Sequence, residues 1–226
     1  MRFLRRVDQT PIDWAKAITT SLKETLQSLS ADRPIFHSEC DFQHALAWAI
    51  HKRVPNANIR LEKPHEINGK RRYIDLVVEQ DGITCFMEIK YKTTETALVD
   101  KGETYSLKQQ GAIDQGSYDI LKDVQRIEAV VGERNGRFGF SVTLSNDPRY
   151  WRPRRRENAI DIAFELVDGR IITGELAWAP HAGRGSIEKR EAPLTLRSRN
   201  KVHWDRYSSL PASNEFRCLI FPVFPS

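Results

Sequence analysis

Two carboxylates and an amine stand out in YIDLVVEQDGITCFMEIKYK, residues 73–92. Asp75 interrupts one apolar run, Glu88 interrupts the next, and Lys90 follows Glu88 by two. Their neighbours Ile74, Leu76, Val77, Val78, Phe86, Met87 and Ile89 suit strands buried on at least one face. Charges in such strands are expensive unless they serve a purpose. Asp81-Gly82 is a favoured two-residue hairpin turn. A turn centred there sets Gln80 against Ile83, Val78 against Cys85 and Asp75 against Glu88. Directly opposed residues point to one face, and Glu88 and Lys90 share a face by strand alternation. Opposed like charges weaken a sheet, so the two acids call for compensation. Lys90 as a counter-ion is one answer. A divalent cation is the stronger one, because hard carboxylate oxygens suit Mg2+, which keeps positions open for water and a substrate phosphate. The competing account is an exposed salt bridge that serves solubility, and the apolar flanks argue against it.

The elements that must position this patch follow from periodicity. Residues 12–29 read as an amphipathic helix, with Trp14, Ile18, Leu22, Leu26 and Leu29 at helical spacing. Asp32-Arg33-Pro34 breaks it. A second helix is expected from about 39 to 53, with Ser38 as N-cap, Asp41 as its capping partner and a stripe of Phe42, Leu46, Ala49 and Ile50. Residues 58–62 form a short strand, and the 73–92 hairpin follows. Residues 96–105 read as a loop. A long helix from roughly 112 to 131 carries Ile113, Ile120, Leu121, Val124, Ile127 and Val131, and 137–145 is a strand. A helix between strands often serves as a crossover that makes the following strand parallel to an earlier one. Residues 159–178 read as a hairpin about Asp168-Gly169, and 216–224 as a last strand whose prolines favour an edge or end position. The fold class is therefore α/β, a mixed central sheet flanked by helices. The chain divides into a helix packed on the core (1–35), the core itself (36–148) and a basic, β-rich extension of the same domain (149–226).

The chain has 226 residues, 40% of them hydrophobic, enough for one sizeable packed domain. No apolar run reaches bilayer length, and no apolar stretch follows the basic start, so neither a membrane span nor a secretory signal is expected. Three scattered cysteines without metal-type spacing point to a reduced cytoplasmic setting. The net charge of +5 lies entirely in residues 149–226, with 14 basic and 9 acidic residues; residues 1–148 hold 21 of each. RYWRPRRREN, residues 149–158, has five arginines against one glutamate beside Tyr150 and Trp151, a candidate phosphate-contacting surface or a salt-bridged loop. A Gly-rich phosphate loop with Lys-Ser/Thr, an HExxH pair and a G-x-S-x-G elbow are all missing, and His37-Ser38-Glu39 lacks the cysteine pair of a zinc deaminase.

Asp75, then twelve residues, then Glu88-Ile89-Lys90, set on adjacent strands between two helices and followed by a strand, resembles the PD-(D/E)XK nuclease superfamily, the fold of many restriction endonucleases. The resemblance spans about residues 36–145 and implies that family's αβββαβ core. The proline that names the family is replaced by Ile74. The resemblance implies that Asp75 and Glu88 bind Mg2+ with help from the Ile89 carbonyl, Mn2+ being a substitute. Lys90 would orient or activate the attacking water and stabilise the phosphorane-like charge, consistent with general metal and electrostatic catalysis. Many members add a glutamate from the first core helix. Glu39 is placed for that, although an acid there also simply favours the helix dipole. Gln43 lies one turn on, on the same face. Gln115 and Tyr118 depart by one residue from the Gln/Tyr spacing that some members carry on the long helix. Gln43, Gln109, Arg152, Arg154, Arg155 and Arg156 are the expected nucleic-acid contacts. The implied activity is Mg2+-dependent hydrolysis of DNA. A fold-sharing binding module without activity and an RNA-processing nuclease are the alternatives, and a homodimer or a partner protein in a larger system stays open.

Overall fold

The computed structural model describes residues 11–153, 158–210 and 214–225. Helices α1 (Pro11–Asp32) and α2 (Glu39–Arg53) come first. Ser38 caps α2 as the sequence predicts, its side chain accepting the Asp41 N–H. Strands β1 (Asn58–Ile67), β2 (Lys70–Gln80) and β3 (Ile83–Lys92) form a meander, and α3 (Ile113–Val131) leads to β6 (Arg137–Ser145). The expected short strand at 58–62 is thus five residues longer. The expected loop at 96–105 is a hairpin of β4 (Thr96–Asp100) and β5 (Glu103–Leu107), inserted between β3 and α3. Its turn is Lys101-Gly102, with φ of 47° and 82°. Asn68-Gly69 (51° and 69°) and Asp81-Gly82 (50° and 77°) use the same two left-handed residues. That conformation matches the twist of the flanking strands and is cheap when the second residue is glycine.

Beyond 148 the sequence reading fails in part. The 159–178 stretch is not a hairpin. Its first half is coil with a 3₁₀ turn at Ile162–Phe164, and β7 (Ile171–Leu176) pairs instead with β8 (Leu194–Lys201), across a segment holding the short helix α4 (Arg184–Ile187). The last strands, β9 (Trp204–Leu210) and β10 (Asn214–Val223), join the central sheet. Its order is β1-β2-β3-β6-β10-β9, so β10 is an interior strand rather than an edge. The prolines are accommodated because β9 pairs β10 only as far as Leu219, while Pro222 faces β6 alone. At that point one side of β10 is free, and a missing N–H costs nothing in the ladder.

The α3 crossover makes β6 parallel to β3, with Glu88 beside Ser141 and Lys90 beside Thr143. One core lies between the sheet and α1/α2, built from residues such as Leu22, Phe42, Leu46, Val78, Cys85 and Ile89. The other lies between the sheet and α3 with the β7–β8 ribbon, built from Phe86, Leu121, Val124, Ile127 and Leu196 among others. Odd positions of β3 face the first core, and Phe86 faces the second. In β1 and β2 this alternation inverts midway. Ile59 and Leu61 belong to the α1/α2 core, but Ile67 belongs to the α3 core; Leu76 belongs to the first, but Ile74 to the second. The inversion falls at Glu62, which has a left-handed φ of 50°, and at Asp75 across from it. No helix among the described residues is long and apolar enough to cross a membrane.

Candidate functional site

The Asp-Gly turn sets the β2–β3 register that the sequence predicts, with Gln80 opposite Ile83 and Val78 opposite Cys85. The ladder stops at Leu76–Met87, one pair short of Asp75 and Glu88. Side chains take over there. The Ile89 N–H donates to Asp75 Oδ2 at 2.6 Å, and the Gln43 amide donates to the Asp75 carbonyl at 2.6 Å. Gln43 also donates to Glu62 Oε1 at 3.1 Å. The pleat inversion is therefore held by hydrogen bonds from α2 and β3, and it is where Asp75 leaves the regular sheet.

Glu88 and Lys90 both reach α3. Glu88 Oε1 accepts from Arg126 at 2.8 Å, and Lys90 Nζ lies 3.0 Å from Asp123 Oδ2 and 3.2 Å from the Ile89 carbonyl oxygen. Arg126 spans the pair, 3.4 Å from Asp123 Oδ1. From α2, Glu39 accepts the Tyr91 N–H at 2.8 Å. Asp75, Glu88 and Lys90 thus converge, with Glu39 tied to the next residue of β3. Asp123 and Arg126 are members of the site that the sequence reading did not single out. Their signal was present: Asp123 is buried within the apolar stripe of α3, three residues after Ile120, where a charge needs a partner.

The electrostatics follow from burial. Asp75, Glu88 and Asp123 surround Lys90 and Arg126, and Glu39 is near enough to act on Lys90, so carboxylates outnumber cations in a largely dry place. Burial pushes the Asp75 carboxyl up to about 6, against the pull of Lys90 and the Ile89 N–H. Burial, with Asp123 and Asp75 nearby, raises the Glu88 carboxyl well above the usual range, and Arg126 offsets only part of this. Burial opposes charge on Lys90, yet Asp123, Glu39 and Asp75 outweigh it and raise its pKa. Lys90 is thus a fixed ammonium at neutral pH, while Glu88 depends on Arg126, 2.8 Å from its Oε1, to carry its charge.

The donor chemistry fits a hydrated divalent cation. Glu88 Oε2, Ser141 Oγ and Thr143 Oγ1 are buried with no hydrogen-bond partner among the described residues. The two hydroxyls lie beside Glu88 and Lys90 on the same face of the sheet. Orphaned buried polar atoms cost about 1–3 kcal/mol each and call for water or an ion. Among the described residues no group of three His, Cys, Asp or Glu side chains is arranged to hold a metal. An ion here would rest on Asp75 and Glu88, the Ile89 carbonyl and water, a sparse protein set that suits Mg2+.

The other expected contacts are placed differently. Gln43 is only 7% exposed and its amide is spent on Asp75 and Glu62, so it braces the site instead of meeting a phosphate. Gln109 is exposed and its side-chain oxygen accepts from Thr94. Gln115 donates to the carbonyls of Gly185 and Ser186, and Tyr118 is buried with its hydroxyl on the Ala192 carbonyl. Arg152 is exposed, while Arg154, Arg155 and Arg156 lie outside the described residues. Tyr150 and Trp151, expected beside those arginines on a phosphate-facing surface, are buried against Trp204, and Arg149 forks onto Asp147 at 2.6–3.1 Å. Comparison of the chain with models of known families, with curated proteins and with solved structures gave no match.

Proposed function

We propose that the protein is a Mg2+-dependent nuclease of restriction-endonuclease-like fold that hydrolyses DNA phosphodiester bonds. The observation that carries this reading is the convergence of Asp75, Glu88 and Lys90 from adjacent strands β2 and β3, with buried acid and hydroxyl oxygens left over beside them. The order α2-β1-β2-β3-α3-β6, interrupted only by the β4–β5 hairpin, supports the fold assignment. Asp75, Glu88 and the Ile89 carbonyl would hold the cation, which when bound supplies Lewis-acid stabilisation and an acidified water. Lys90, permanently charged, faces the developing charge on the phosphate and is not the base that takes the water's proton. In the metal-free protein burial holds the Asp75 carboxyl up at about 6, and a bound cation would favour its ionised, ligating form.

The test is incubation of plasmid, single-stranded DNA and RNA with Mg2+, with Mn2+ and with chelator, alongside Glu88→Ala. Metal-dependent cutting of DNA that the variant loses is the expected result. A second reading, a nucleic-acid-binding module of this fold without activity, draws on Arg126 and Asp123, which already neutralise much of Glu88 and Lys90. Binding without cutting under every metal condition would establish it. Preferential cutting of RNA would move the substrate assignment.

Proton and cation compete for the same oxygens, which gives a separate prediction. In the metal-free protein, a raised acid pKa contributes stability at low pH that is lost as pH rises through the folded value. For Asp75 that window runs from its ordinary 3.8 to about 6. Mg2+ should therefore add little at pH 5 and progressively more above pH 6. With the ion at about ten times its Kd the gain is about 1.4 kcal/mol, or roughly 3–6 °C in Tm for a chain of this size. Thermal melts with and without Mg2+ across that range check it. A Mg2+ effect independent of pH, or one retained in Glu88→Gln, would place the ion elsewhere.

A further inference from the structure

We infer that the tip of the β1–β2 hairpin binds a single nucleic-acid strand, with Lys70, Arg71 and Arg72 on its phosphates and Tyr73 as a stacking platform for a base. This rests on the nucleic-acid reading above, though not on catalysis. Four successive residues, Lys70 to Tyr73, are all exposed, and Tyr73 keeps half of its surface open. Strand alternation puts Arg71 and Tyr73 on one face of the ribbon and Lys70 and Arg72 on the other, so a strand curling round the narrow tip meets both. Their cross-strand partners are Ile67, Glu66, His65 and Pro64, so one acid faces three cations. Lys63, the other cation near the tip, is already bound to Glu79 at 2.6 Å. Among the described residues no ion pair involves Lys70, Arg71 or Arg72, whereas Arg149 of the 149–158 segment is committed to Asp147. The Arg71 guanidinium lies 5.6 Å from the centre of the Tyr73 ring. A cation over one face of a half-exposed aromatic leaves the other face for a base. Cation and ring together are how non-specific single-strand sites are built.

The tip is held in shape before any strand arrives. Paired residues run along the two strands from Asn58–Glu79 to Ile67–Lys70, closed by the Asn68-Gly69 turn. Little ordering entropy is then lost on binding. The strand also leads to the candidate site. At a rise of about 3.4 Å per residue, Tyr73 stands about 7 Å and Lys70 about 17 Å from Asp75 along β2. Lys70 and Arg72 share the face of Ile74, which packs with α3, the side on which Glu88 and Lys90 meet that helix, so a backbone held on that face lies within a few nucleotides of the acids. A single strand is favoured over a duplex because Tyr73 offers a ring face, which paired and stacked bases cannot use.

The experiment reads binding, not cutting. Fluorescence anisotropy of labelled oligothymidylate of about 20 nucleotides, longer than the ~4–16 nucleotides a single-strand site covers, is measured in chelator over a series of salt concentrations. Lys70→Ala/Arg71→Ala/Arg72→Ala should weaken binding at least tenfold at low salt. It should also flatten the slope of log K against log salt by about 2, three contacts at about 0.7 each. Tyr73→Ala should weaken the oligomer roughly 5- to 100-fold with the slope unchanged and duplex binding little affected. Arg199→Ala/Lys201→Ala, on β8, should leave both unchanged. A triple variant that binds with the parent's affinity and slope removes the tip from the interface. Equal losses on duplex and single strand from Tyr73→Ala overturn the single-strand assignment. If the parent binds no oligomer at all, the nucleic-acid reading falls with the inference; if the parent binds and only the tip variants are silent, the inference falls alone.

Discussion

Replacing Lys90 by methionine should slow phosphodiester cleavage by roughly 10²–10³-fold at saturating DNA, the usual cost of removing one preorganised charge from a reacting oxyanion. Affinity for the uncut strand should stay within a few-fold, because the ammonium faces the acids and not the basic hairpin tip. The held charge of Lys90 sets the form of the result. Its pKa is raised by Asp123, Glu39 and Asp75 in spite of burial, so it does not titrate near neutrality. The variant should therefore lose rate at every pH, and the acidic limb of the profile should move to higher pH, because Lys90 no longer pulls the Asp75 carboxyl down. Single-turnover rates from pH 5.5 to 9, on protein whose folding is checked by circular dichroism, decide the matter. A variant that cuts like the parent would remove Lys90 from the chemistry. A selective loss near one pH would make it a proton carrier instead.

The second large effect concerns folding. Arg126→Met should destabilise the protein by about 3–5 kcal/mol, because it strips the partner from a buried carboxylate that keeps its desolvation cost. At roughly 2–4 °C per kcal/mol for a chain of this length, Tm falls by about 6–20 °C. Glu88 is the group left behind: its side chain is fully buried and Arg126 holds one of its oxygens at 2.8 Å. Glu88→Gln in the same background should recover much of the loss, since a neutral amide needs no counter-ion. Urea denaturation of the parent, both single variants and the double variant closes the cycle. Additive losses would mean that the two side chains do not act as a pair. Because the cation and Arg126 both answer the same surplus of negative charge, Mg2+ should also stabilise Arg126→Met more than the parent.

Much of the frame was legible because it rests on local chemistry. Ser38 as N-cap, the limits of α2 and β6, the Asp81-Gly82 turn and the register it imposes all follow from a few neighbouring residues. The β4–β5 hairpin was legible too, through the alternation of Thr96, Leu98 and Tyr105 and the Lys101-Gly102 turn, and was passed over. What sequence does not carry is long-range pairing. β7 finds β8 across an intervening segment rather than the stretch just before it, and nothing local specifies that choice. The same limit hides Arg126. Its role depends on α3 lying over β3, a contact between residues 38 apart. Tyr150 and Trp151 misled for a related reason. Aromatics beside arginines suit a phosphate surface and a packed core equally well until Trp204 is brought against them.

The position of β10 has a consequence for how the chain is made. β6 lies under the candidate site, and its outer border stays bare until β10 arrives, since among the described residues no other strand pairs with that side. β10 is the last of the described strands in chain order, so every earlier element must wait on the ribosome with an open, apolar hydrogen-bonding border. Such borders recruit other chains. Truncations that stop short of Asn214 should therefore yield inclusion bodies rather than a smaller working domain, and slow translation or chaperone shortage should harm this protein more than its modest length implies.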